Sequence, residues 1–179
     1  MYYVFIIGTA AGTVDVGFDT DSSATNLLAD ATGYTFYRIV RDNFAVFTNS
    51  SSNILSFSVV GNQVRYLSTI LDVNDLTITN DTYETGTITA PPNSIALLMV
   101  TGQASAASVN AGITITLKNP TTTEAKAVIQ SVAPTVIRIA GPAEFPVNAS
   151  RQLQYKAQLY VGDTINYVGI NTGGYFLQG

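Results

Sequence analysis

The sequence predicts an all-β protein, mainly antiparallel, with one short helix near residues 22–31. Three observations carry that expectation. Apolar and polar residues alternate with a period of two, most clearly Ile113, Ile115 and Leu117 against Thr114, Thr116 and Lys118. Turn residues divide such segments at intervals of about 8–12, the spacing of β-sandwiches and jelly rolls. Only one segment carries both a helix start and a helix stop.

Taken in order, Tyr2 to Ile7 is an apolar β-branched and aromatic run closed by Gly8 and the small residues up to Gly12. Thr13 to Phe18 puts Val14, Val16 and Phe18 on one face and Asp15 and Gly17 on the other, the signature of a half-buried strand that can pair with the first as a hairpin. Ser22 or Ser23 can cap a helix running through Leu27, Leu28 and Asp30, with Gly33 placed to end it. At two turns it must lean on a sheet. Strands are expected at Tyr34 to Val40 and Phe44 to Thr48, with Asp42-Asn43 turning between them, and at Ile54 to Val60 and Gln63 to Leu67 around Gly61-Asn62. Leu71 to Asn80 reads as looser chain.

Composition shifts near Thr82 to Pro92, from aromatic-rich to rich in Ala, Ile, Val and Thr. A boundary there gives a β-rich N-terminal module, 1–85, and a β-sandwich or jelly-roll-like module, 86–179. The second module should hold strands at Ser94 to Ala104, Gly112 to Lys118, Glu124 to Val132, Thr135 to Ala140, Gln152 to Val161 and Thr164 to Ile170.

The residue inventory restricts function sharply. With no cysteine and no histidine in 179 residues, thiol nucleophiles, imidazole bases and the commonest transition-metal ligands are all missing. An enzyme would have to work with carboxylates, lysine or tyrosine, so a non-enzymatic, cofactor-free role is expected. Charged residues are 11% of the chain, against about 25% in an average domain. A net charge of −4 argues against nucleic-acid binding, which needs basic side chains to displace counterions. No apolar run of about 18 residues is present, so no membrane insertion by a helix is expected. The first residues lack the basic start of a signal peptide, and a strand beginning at Tyr2 suggests that more chain once preceded it.

Few residues suggest chemistry. Asp15, Asp19 and Asp21 could chelate a hard cation such as calcium, but turn aspartates explain them better. Asp72, Asp75 and Asp81 form a second acidic group that lacks the glycine and bidentate glutamate of a complete calcium loop. The glutamates Glu84, Glu124 and Glu144 are not brought together by anything in the sequence, as a glycosidase pair would need to be. Asn49, Asn80 and Asn148 begin glycosylation-like triplets of a kind that arises by chance. Among ten tyrosines, Tyr160 and Tyr167 are the candidates for an exposed glycan or interface contact, tyrosine offering an apolar face and a hydroxyl.

Several passages taken together carry a resemblance: Tyr2-Tyr3-Val4-Phe5-Ile6-Ile7, then Val14-Asp15-Val16-Gly17-Phe18-Asp19-Thr20, then Tyr34-Thr35-Phe36-Tyr37-Arg38-Ile39-Val40, then Ser52-Asn53-Ile54-Leu55-Ser56-Phe57. Their order resembles a module of tailed-bacteriophage tail-fibre and virion-surface proteins, over most of residues 2–73 and loosely beyond. Tyr3 stands where the family has histidine, and Val40 where it has a second arginine. The resemblance implies no catalytic residues. It implies a β-structured virion component, homo-oligomeric and often trimeric, assembled with other capsid or tail proteins. In fibres the module follows a long shaft, for which this chain has no room. A capsid decoration protein is therefore expected as readily as a short tail-fibre or head-fibre component. From another class, a carbohydrate-binding module or adhesin for host surface glycan is the alternative.

Overall fold

A computed structural model of the chain describes residues 1–40, 44–105, 111–122, 125–133, 136–161 and 164–177. The fold is all-β, with three antiparallel sheets and one short helix among these residues.

The larger part is a two-layer sandwich. One layer holds β5 (Phe57–Val60), β6 (Gln63–Asp75), β8 (Ile95–Ser105), β11 (Val136–Pro146) and β13 (Thr164–Phe176), in the order β11-β8-β13-β6-β5. The other holds β7 (Glu84–Thr87), β9 (Ala111–Lys118), β10 (Ala125–Ala133) and β12 (Gln152–Val161), in the order β10-β9-β12-β7. Counted from β6 as the first strand, the two orders are 1-8-3-6 and 2-7-4-5, the connectivity of a jelly roll, with β5 added at one edge. Inward alternation fills the space between the layers. Val100, Val168 and Ile170 from one sheet meet Ile113, Ile115 and Leu153 from the other, all fully buried.

The smaller part precedes the jelly roll. Here β1 (Tyr2–Gly8) lies between β2 (Val14–Asp19) on one side and β3 (Phe36–Ile39) on the other, and α1 (Thr25–Asp30) covers one face. The two-residue strand β4 (Ala45–Val46) also pairs with β1, at Tyr2 and Tyr3, while β3 pairs from Phe5 to Gly8. Thus β3 and β4 lie end to end along one side of β1 instead of pairing with each other. The Asp42-Asn43 turn expected between them lies outside the described residues.

These pairings move the boundary drawn at residue 85. β5 and β6 hydrogen-bond into the sheet of β8 and β13, and β7 pairs with β12. The jelly roll therefore starts near Gln63, and the composition shift falls inside it. The segment 71–80, expected to be loose, is strand as far as Asp75. Its alternation was unreadable because β6 and β13 slip register between Ile170 and Asn171 and again between Thr172 and Gly174. Gly174 sits at φ +149, where a Cβ would lie 2.1 Å from the Val64 carbonyl oxygen. β11 likewise outruns its predicted end at Ala140, because Pro142 and Pro146 are tolerated on an edge strand.

The two parts are joined by a short aromatic seam. Phe47 reaches the jelly-roll core with the Arg151 guanidinium 5.4 Å from its ring, and Phe44 packs edge-on against Phe57. The buried Tyr175 hydroxyl donates to the Ala45 carbonyl at 2.7 Å. Burial raises the pKa of this phenol, so it stays a neutral donor.

Candidate functional site

One feature that departs from an ordinary solvated sheet is the outward face of the N-terminal sheet, apolar and open along β2 and closed over only near Val4 and Val46, which are buried. Along β2 the alternation predicted from sequence is present, but its apolar side faces outward. Val14 is 69% exposed, Val16 54% and Phe18 42%, whereas Gly17 and Asp19 are buried. The expectation of a strand that buries its valines is corrected accordingly.

The helix decides this inversion. Leu27 of α1 lies so close to Gly17 that a Cβ there would come within 2.5 Å of the leucine Cδ2. Phe5, Ile7 and Ala24 form the buried centre of that contact, with Tyr3, Leu28 and Ile39 around it. Asp19, only 2% exposed, points the same way and holds the start of the helix. It accepts from the Leu27 N–H at 2.7 Å, the Asn26 side-chain amide at 2.9 Å and the Asp21 N–H at 3.1 Å. Burial works to raise this carboxyl's pKa. The bonds from Asn26 and from the Leu27, Asp21 and Thr20 backbone outweigh it and bring the value down to about 2.

Neither serine expected to cap the helix does so directly. The residue before the helix is Ala24, at φ 56 and without a side-chain cap, and the capping oxygens come from Asp19 and Asp21. Asp21 accepts from the Ser23 hydroxyl and N–H and from the Thr25 N–H, and its pKa is lowered chiefly by the Ser23 side chain.

Register assembles the outward face. Val16 lies beside Ile6 and Phe18 beside Val4. On the other side of β1, Arg38 lies opposite Ile6, the Val40 N–H donates to the Val4 carbonyl, and Val46 neighbours Tyr2. Tyr2, Ile6 and Val40 are exposed. At one end the face drops into a groove of about 180 Å³ lined by Tyr2, Phe18, Val46, Thr48, Ser52 and Ile54. From ordinary side-chain areas, the apolar surface shown here is on the order of 500 Å², at the upper end of what a monomer exposes. At about 25 cal/mol per Å², covering it is worth on the order of 10 kcal/mol before association costs. The signal in the sequence was the first strand itself. A run apolar on both faces, as Tyr2 to Ile7 is, needs a cover on both.

The residues singled out for chemistry are placed differently. Asp15 lies on β2 away from Asp19 and Asp21, its carboxylate accepting from the Val16 N–H at 2.7 Å. Asp72 accepts from the Thr89 N–H and hydroxyl, at 2.9 and 2.6 Å, and from the Thr172 hydroxyl. Asp75 accepts from Thr77 and from the Tyr155 hydroxyl at 3.0 Å, and Asp81 pairs with Lys156 at 2.6 Å. These acids tie chain segments together instead of converging, and no group of three metal-ligating side chains occurs among the described residues. Glu84 is on β7 and Glu144 on β11, in opposite layers, while Glu124 lies outside the described residues. The amide oxygens of Asn49, Asn80 and Asn148 each accept a backbone N–H within their own turns or from the adjacent strand.

Tyr160 and Tyr167 do not share a surface strand. Tyr160 is on β12, and its side chain lies outside the described ones. Tyr167 is on β13 in the other layer, half-buried and opposite Gln103, which accepts from Arg138 Nε at 3.0 Å.

No family model matches the chain, and no curated protein matches it. Among solved structures, it is similar to the Eiger TNF of S. frugiperda at 8% identity, over 96% of this chain and 92% of that one, with a TM-score of 0.27. A likeness at that level carries no argument here.

Proposed function

We propose that this protein is a non-catalytic structural component of a bacteriophage virion surface, a short tail-fibre or head-fibre component or a capsid decoration protein, that acts by docking to copies of itself and to neighbouring virion proteins. The observation that carries the docking half of this reading is the outward apolar face of β1 and β2, whose apolar area is at the upper end of what a monomer exposes. The virion half is supported by the order of the four passages between Tyr2 and Phe57, and the trimeric state is the one that resemblance implies. An 11% content of charged residues suits repeated packing, since few charges must be stripped of water at each contact.

The test is direct. Gradient-purified phage particles of its source, analysed by peptide mass spectrometry and labelled with an antibody to the C-terminal residues, should contain the chain in multiple copies at the particle surface. Particles that lack it overturn the reading.

A further inference from the structure

We infer that the outward face of β1 and β2 is the contact by which one copy of this chain packs, sheet face on sheet face, against the same face of another copy. The inference rests on the assembly reading above and names the partner and the surface.

Area is the first argument. A standard stable interface covers about 800 Å² per partner, with an apolar centre and a polar rim. The exposed apolar side chains of this face supply on the order of 500 Å², and Arg38, Thr48 and Ser52 around them supply the rim, so one sheet face matches what a stable pair needs.

Charge is the second. Within the described residues, the strands of this face contribute one charged side chain to it, Arg38 on β3. A strongly acidic or basic partner finds nothing to complement here. A second copy offers the same uncharged centre, and faces meeting over β1 and β2 leave their arginines at the rim.

The mode of approach follows from the edge. β2 pairs only with β1 among the described strands, so its other side would be open to strand addition. The pairing alternation, set by the Thr9 N–H donating to the Thr13 carbonyl, turns the Val16 N–H toward that open side, where the Asp15 carboxylate already accepts it at 2.7 Å. An exposed charge on the edge also opposes a second strand. Edge addition is therefore blocked at its centre while the face stays free, and packing at the usual sheet-to-sheet spacing of about 10 Å is what remains.

Sedimentation equilibrium on the full chain tests this. The wild type should sediment at twice the protomer mass in the micromolar range, because a face that packs on its own copy closes as a pair. Val16→Glu and Phe18→Lys should fall to the protomer mass with an unchanged far-ultraviolet circular dichroism spectrum, since both side chains point outward. Leu67→Glu and Leu76→Glu, exposed on and just beyond β6, should keep the wild-type mass. Should Val16→Glu lose its spectrum, Val14→Lys, at the most exposed position of the strand, is measured in its place. A monomeric wild type at 100 µM overturns the inference, and so does an oligomer that survives Val16→Glu but is lost in Leu67→Glu. In either case the presence of the chain in purified particles still decides the virion reading separately.

Discussion

In the jelly roll, alternation along β9 and β12 sends Ile113, Ile115, Leu153 and Tyr155 inward against a facing sheet. In the N-terminal sheet the same period along β2 sends Val14, Val16 and Phe18 outward. The period-2 pattern fixes which residues share a face, and the element covering the sheet determines which face is inside. For β9 the cover is a second sheet that demands volume. For β2 it is a six-residue helix whose Leu27 needs the space at Gly17 and whose first N–H groups need the carboxylates of Asp19 and Asp21. The side that reads as polar in sequence is the packed one, and the apolar side is left for another molecule.

Substitutions on the two apolar stripes should separate these roles. Ile115→Ala empties a fully buried position between the layers and should cost about 2–5 kcal/mol in urea denaturation. Asp72→Ala comes next. It strands the hydroxyls of Thr89 and buried Thr172 and should cost about 1–3 kcal/mol.

Asp19→Asn acts on the smaller part and should cost about 1 kcal/mol, the usual worth of a helix cap. Its clearer signature is in pH. The Asp19 carboxyl titrates lower in the folded chain, at about 2, than the 3.8 of an unperturbed one. The folded state is therefore favoured by its ionised form. That contribution is complete above about pH 4 and is lost as pH falls toward 2. Hydrogen exchange at the Leu27 amide, corrected for its intrinsic pH dependence, should lose protection across that window in the wild type and show no such step in Asp19→Asn. The smallest effect belongs to Val16→Ala, which should shift protomer stability by no more than about 0.5 kcal/mol, because its side chain is already in water. If Val16→Ala costs as much as Ile115→Ala when unfolding is followed in the protomer, the contrast between the two stripes is wrong.

The jelly-roll strands were the legible part of the sequence because β8, β9 and β12 run in clean register with their neighbours for most of their length. The part of β6 beyond Leu67 was hidden by slipped pairing, and the end of β11 by prolines that only an edge position permits. The domain boundary was misplaced because a jelly roll pairs its first strand with its last. The change from aromatic to aliphatic composition follows the chain, whereas the pairing of β6 with β13 does not. The exposed face was half-legible. Its residues could be grouped on β2, but its direction depended on a contact between Leu27 and Gly17 that no local pattern announces. The helix was located within about three residues, and its caps were missed because the acids lie further upstream than a cap residue usually does.

Photochemical carbene labelling of the intact protein, read residue by residue across a dilution series, tests the central claim most directly. The account predicts that Val14, Val16 and Phe18 are shielded at high concentration and become labelled as the protein is diluted. Val60, Leu67 and Leu76 of the jelly-roll side, each more exposed than Val16 and Phe18, should be labelled throughout. Equal labelling of both groups at every concentration, or protection confined to the β5–β6 side, would contradict it.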